Sequence, residues 1–196
     1  MKPKIFGIGT HKTGTTSLGD ALKMLGFAPH CGWGQGNKLT PASYNGNYEK
    51  IFKVVDKYVS FEDSPWCHGN LYKILYKQFP TAKFILTIRN EDDWFNSLVR
   101  WTNNNTGCCK WGKMYHNIEY GNKLSKIRPF KENYVNIYRK RNQEIIDFFA
   151  DKPNTLLIID FASGEGWNEL CKFLNVPIPI RKFPHSNQNK KPKQRR

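Results

Sequence analysis

The stretch Gly9-Thr10-His11-Lys12-Thr13-Gly14-Thr15-Thr16-Ser17 joins a short apolar run, Lys4 to Gly9, to a segment with helical spacing. Two glycines five residues apart at such a junction let the chain turn tightly. Backbone N–H groups and the helix N-terminus can then face one anion. Thr15, Thr16 and Ser17 add hydroxyl donors, and Lys12 adds a positive charge. That is chemistry for a phosphate-like group. A Walker loop, GxxxxGK[ST], carries its lysine directly after the second glycine. Here Thr15 holds that place and the lysine stands inside the loop as Lys12. Anion binding survives this change, whereas nucleoside triphosphate hydrolysis loses the lysine that bridges its terminal phosphates. A glycine turn with capping threonines and no ligand is the plainer alternative.

The elements that must position this loop follow from periodicity. Leu18, Ala21, Leu22 and Leu25 predict a helix over 14–26, ended by Gly26. The span 28–47 is dense in glycine, proline and asparagine and predicts a long loop. A short helix over 48–57, a strand over 58–61, a helix over 71–79 and a buried strand over 83–88 follow. Asn90, with Glu91, Asp92 and Asp93 behind it, predicts a capped helix running to about Trp101. The span 103–126 predicts loop, 130–149 a long helix, 155–159 a strand and 167–174 a last helix. Nearly continuous apolar strands alternating with helices imply an α/β fold: a P-loop-type, three-layer α/β/α arrangement around a mainly parallel sheet.

The chain has 196 residues, 39% of them hydrophobic, which is enough for one substantial core and too little for two large domains. One domain over 1–186 is expected, followed by a basic, flexible tail over 187–196, NQNKKPKQRR. A formal charge of +15 points to anionic ligands and leaves nucleic acid open as a less favoured partner. Cys31, Cys67, Cys108, Cys109 and Cys171 show no zinc-site spacing, so reduced thiols and no metal are expected. The N-terminal apolar run is shorter than a signal sequence, and no stretch is long enough to span a bilayer. The expected location is therefore cytoplasmic.

The segment IFGIGTHKTGTTSLGDALKMLGF resembles the 5′-phosphosulfate-binding loop of sulfotransferases, in which a Lys-[Ser/Thr]-Gly-Thr-Thr core replaces the Walker arrangement. FILTIRNEDDWFNSLVR is similar to that family's 3′-phosphate element, an arginine at a strand end followed eight residues later by a serine. Arg89 and Ser97 hold those places. A guanidinium there and a hydroxyl two turns into the next helix can converge on one phosphate. GEGWNELCKFLNVPIPIRKFPHSN resembles the C-terminal segment of a compact branch of the family. The glycine-rich, lysine-ending motif of cytosolic sulfotransferases is missing, with Lys190 or Lys191 as stand-ins.

The resemblance implies 3′-phosphoadenosine 5′-phosphosulfate (PAPS) as donor, held by Lys12, Thr13, Gly14, Thr15, Thr16, Ser17, Arg89 and Ser97. It also implies a hydroxyl or amine acceptor, either a small molecule or a carbohydrate. Lys12 would neutralise the leaving oxygen, since a loose transition state leaves catalysis to positioning and electrostatics. Alignment on Pro65 makes Asp63 the first choice of general base, with Glu62 and His68 as alternatives. Plainer roles stay open: Asp63 or Ser64 capping a helix, Arg89 paired with Glu91 or Asp92, Ser97 on a helix face, and His11 on a ligand or in solvent. Trp33, Trp66 and Trp111 are stacking or core residues. Two other classes compete. One is a P-loop kinase or switch with a displaced lysine and Asp160 for magnesium. The other is a non-enzymatic polyanion or nucleic-acid binder.

Overall fold

The computed structural model describes residues 3–104, 110–121 and 127–186. Cys108, Cys109, Lys190, Lys191, the whole span 187–196 and the side chain of Trp111 lie outside the described residues. The strands are β1 (Ile5–Gly7), β2 (His30–Cys31), β3 (Ser60–Phe61), β4 (Lys83–Thr87) and β5 (Leu156–Ile159), and all described pairings are parallel, in the order β2-β3-β1-β4-β5. The helices are α1 (Thr15–Met24), α2 (Trp33–Gly36), α3 (Thr40–Tyr44), α4 (Tyr48–Val55), α5 (Leu71–Gln78), α6 (Glu91–Asn104), α7 (Lys110–Tyr120), α8 (Lys131–Phe149) and α9 (Trp167–Leu174).

Alternation along the strands divides the core into two layers. Phe6, Ile8, Phe61, Phe84 and Leu86 face α4, α5 and α8 through Ile51, Val55, Leu71, Leu75, Ile145 and Phe149. Ile5, Ile85 and Ile159 point the other way, onto Leu18, Ala21 and Leu22 of α1 and Leu170 of α9. Successive strand side chains must leave opposite faces, so helices are needed on both. Each fully buried phenylalanine contributes about 1.5–3 kcal/mol, and Phe6 sits at the centre, its ring 4.6 Å from Phe61 and 5.5 Å from Phe84. This is the expected three-layer α/β architecture.

Two stretches expected to be loops hold short elements instead. Within 28–47 lie β2, α2, a 3-10 turn and α3. The two residues of β2 have no strand signal of their own and owe their state to the free edge of β3, where His30 pairs with Ser60. Within 103–126 lies α7, packed through His116 and Tyr120 against Tyr134 of α8. Elsewhere the capping signals act locally: Asn90 Oδ1 accepts from the N–H groups of Asp92 and Asp93 at 3.1 and 3.2 Å.

Candidate functional site

The Gly9–Gly14 loop, Asp63 and Arg89 all follow the C-terminal ends of strands, from β1, β3 and β4 respectively. Ligands of open parallel sheets gather at that edge. The loop is tightly seated. A Cβ on Gly9 would stand 2.0 Å from Thr87 Oγ1 and 2.5 Å from the Thr87 carbonyl oxygen, so only glycine fits. Gly14 takes φ 95° at the start of α1, in the left-handed region that glycine tolerates. Thr13 Oγ1 donates to the Thr10 carbonyl at 2.6 Å and lies 2.6 Å from Thr87 Oγ1. Having spent its proton on Thr10, the Thr13 hydroxyl accepts from Thr87. Arg141 Nη2 donates to the Ile8 carbonyl at 3.1 Å, and Trp94 Nε1 to the His11 carbonyl at 3.0 Å.

Arg89 is held by its backbone. Tyr138 Oη accepts from the Arg89 N–H at 2.9 Å and donates to the Arg89 carbonyl at 3.0 Å. The Tyr138 ring stacks on Trp94 at 4.3 Å. His11, Trp94, Tyr138 and Arg89 thereby form a rigid bridge between the loop and the end of β4. The guanidinium of Arg89 makes no ion pair among the described residues, and its Nε is buried without a partner. The neighbouring acids are already engaged: Glu91 takes Arg139 in a two-point pair at 2.6 and 2.8 Å, and Asp92 takes Lys131 at 2.8 Å. The alternative in which Arg89 is neutralised by Glu91 or Asp92 is therefore excluded. A cavity of about 400 Å³, lined by Ile88, Tyr138, Asn142 and Ile146 among others, opens beside Arg89. Ser97 lies half-buried two turns into α6.

Lys12 has φ 72° and makes no ion pair among the described residues. Burial lowers the pKa of its amine; Asp63 opposes that, and the charges of Arg89 and Arg100 add to it. Lys12, Arg89 and Arg100 thus share one field, with Asp63 as its acid.

Asp63, itself at φ 67°, meets the loop directly. Its Oδ1 lies 2.7 Å from His11 Nε2 and accepts from the Ser64 N–H at 2.7 Å, and its Oδ2 accepts from Thr15 Oγ1 at 3.3 Å. Burial raises the carboxyl, but His11 more than offsets it and holds it down at about 2. Burial in turn lowers His11, and the Asp63 charge overrides it, raising the imidazole well above its usual value. At neutral pH the pair is imidazolium and carboxylate. His11 is thus paired and only partly open to solvent, because the β1–β3 pairing brings Asp63 to it. Asp63 caps no helix, since α5 begins only at Leu71.

The other candidates have different surroundings. Glu62 is buried beneath α1 with Oε1 3.8 Å from His30 Nε2, and a Cβ on Gly19 would touch that pair. His68 is buried, with Nε2 3.0 Å from Ser64 Oγ and its ring stacked on Tyr44; burial and the His11 charge lower it well below its usual range. Ser17 Oγ accepts from the Ser186 N–H at 3.0 Å. Thr16 is exposed on α1. Trp66 is a core residue against Phe6 and Phe61, while Trp33 is 51% exposed. Asp160 accepts from the Ala162 N–H at 2.8 Å, capping the 3-10 turn after β5, two strands from β1. Sequence reasoning missed the His11–Asp63 pair, Tyr138, Trp94 and Arg100. Tyr138 and Trp94 look like ordinary apolar helix positions, and nothing local marks them.

A family model described as a sulfotransferase domain matches residues 4–191, nearly the whole chain. The chain belongs to the sulfotransferase domain family. A relative of this sulfotransferase-domain protein is "Ava biosynthesis cluster protein M" of Aspergillus versicolor, 24% identical over 220 aligned residues that cover 93% of this chain and 80% of that protein. Among the described residues, no helix of the sulfotransferase-domain chain is long and apolar enough to cross a membrane.

Proposed function

We propose that this sulfotransferase-domain chain moves a sulfuryl group from PAPS to a hydroxyl or amine of a small-molecule acceptor. The observation that carries this reading is the uncompensated guanidinium of Arg89, with its neighbouring acids engaged elsewhere and Lys12 close enough to feel its charge. A half-buried guanidinium with a buried, unpartnered Nε and no counterion favours an anion from outside. Two cations on different strand ends suit a ligand with anionic groups at two places, as in a 3′-phosphorylated adenosine 5′-phosphosulfate.

In this reading the Gly9–Gly14 loop and the start of α1 hold the 5′ end, with Thr16 as a hydroxyl donor and Thr15 held by Asp63. Arg89 and Ser97 take the 3′-phosphate. Lys12 faces the leaving oxygen, where the loose transition state builds charge. Asp63 keeps Thr15 and His11 in place and, as the acid whose charge acts on Lys12, is the proton acceptor. Its low basicity suits a reaction in which the acceptor oxygen loses its proton late. The kinase reading draws little support, because Asp160 is engaged as a cap on the 3-10 turn after β5, two strands from β1.

The test is a thermal-shift titration with 3′-phosphoadenosine 5′-phosphate, run beside ATP with magnesium and beside heparin. Stabilisation by the bisphosphate alone is the expected result. Stabilisation only by ATP with magnesium overturns the reading in favour of a kinase or switch. A steeply salt-dependent response to every polyanion overturns it in favour of a polyanion binder.

A further inference from the structure

Beside the Gly9–Gly14 loop lies a group of soft and nitrogen donors for which sulfuryl transfer has no use. Cys67 and His68 follow β3, and His11 comes from the loop itself. One donor atom from each of the three lies within 4.8 Å of the other two. His11 Nε2 is 4.0 Å from Cys67 Sγ. The two imidazoles converge: His11 Nε2 and His68 Nε2 stand 3.1 and 3.0 Å from the same atom, Ser64 Oγ. The Asp63 carboxylate lies beside the group, Oδ1 at 2.7 Å from His11 Nε2, and is not one of the three mutually close donors.

Tetrahedral zinc takes imidazole nitrogens at about 2.0–2.1 Å, thiolate sulfur at about 2.3 Å and carboxylate oxygen at about 2.0–2.2 Å, so its ligands stand roughly 3.3–3.8 Å apart. The donors of this group are within about an ångström of that arrangement. Cys67 and His68 are 0% and 1% exposed, which fixes their positions by packing, while His11 and Asp63 keep 20% and 14% of their side-chain surface, which leaves an entrance. The ligand types, two imidazoles and a thiolate, suit zinc and not magnesium or calcium. No sequence spacing announces the group, because 56 residues separate His11 from Cys67.

We propose that His11, Cys67 and His68 form a zinc-binding site that staples the Gly9–Gly14 loop to the segment after β3. Binding expels the Cys67 thiol proton and the His11 Nε2 proton to water. It exchanges the His11–Asp63 ion pair and the Ser64 bridge for three bonds to the metal, with a water in the fourth tetrahedral position. The site does not depend on the donor nucleotide, so it stands or falls separately from the sulfuryl-transfer reading.

The experiment uses the full chain, reduced and stripped with a chelator, then titrated with zinc alone and with cobalt(II) as a spectroscopic probe. About one equivalent of zinc should bind, and cobalt should develop a thiolate-to-metal charge-transfer band with tetrahedral visible transitions. Cys67→Ser should abolish the charge-transfer band, and His68→Gln should weaken binding on the order of 10–100-fold or more. His11→Gln, at the partly open position, gives the same test with least risk to folding, which circular dichroism checks in each variant. No binding to the wild-type chain overturns the proposal. Equal binding by the wild type and the three variants overturns it as well, because the metal then sits elsewhere. Octahedral cobalt without the thiolate band excludes Cys67 as a ligand and refutes the site as stated.

Discussion

Arg89→Ala should weaken binding of 3′-phosphoadenosine 5′-phosphate while leaving the fold nearly untouched. Truncation removes a cation that makes no ion pair among the described residues, so no carboxylate loses its partner: Glu91 keeps Arg139 and Asp92 keeps Lys131. Tyr138 bonds only the backbone of Arg89, and alanine preserves both contacts. The change in unfolding free energy should therefore stay within about 0.5 kcal/mol, the range of surface substitutions. For the ligand, charge-assisted hydrogen bonds are each worth about 1.5–3 kcal/mol. At 1.36 kcal/mol per tenfold, loss of one such contact corresponds to roughly 10–150-fold weaker binding. Calorimetric titration of wild type and variant, with the bisphosphate and with adenosine 5′-monophosphate, isolates the 3′-phosphate as a double difference. The loss should be confined to the bisphosphate. Equal losses for both nucleotides, or none for either, would refute the assignment of Arg89 to the 3′-phosphate.

Tyr138→Phe removes both hydrogen bonds that clamp the Arg89 backbone. It should cost about 1–2 kcal/mol of stability and weaken bisphosphate binding about tenfold, read by denaturant unfolding and the same calorimetry. Gly9→Ala forces a methyl into the Thr87 backbone. Since main chain cannot move aside as a side chain can, destabilisation of about 1–3 kcal/mol or more should appear in urea unfolding. The His11–Asp63 pair sets a pH window. Asp63 has its pKa lowered to about 2, so its contribution is full above the unfolded value of about 3.9 and is lost as pH falls through about 2. His11 is raised, so its contribution is full below the unfolded value of about 6.5 and is lost as pH rises through its higher folded value. Asp63→Asn should therefore be less stable than wild type by about 1–3 kcal/mol between roughly pH 4 and 6.5, with the gap narrowing toward pH 2. A gap that does not change with pH would show that the ion pair contributes nothing.

Local signals carried the Gly9–Gly14 turn, the capped start of α6, the long α8 and the last helix, because glycine spacing, an N-cap asparagine and helical repeats act within a few residues of themselves. They also carried the position of Arg89, since a strand end followed by a cap is a local event. They did not carry β2, whose two residues become a strand only beside β3. Nor did they carry α7, where Gly112 and polar residues blur the repeat and packing on α8 supplies what propensity lacks. The chemistry of the site is a tertiary matter. His11 and Asp63 are paired because β1 and β3 run parallel side by side with Phe6 opposite Phe61. Arg89 keeps its charge open because α8 brings Arg139 and Lys131 to the acids beside it. By itself the sequence determined that a glycine-bounded turn opens an α/β domain and that an arginine ends a later strand. Only the tertiary structure decided which charges are paired and which among the described residues make no ion pair, because ion pairing depends on distances between segments tens of residues apart that no local pattern encodes.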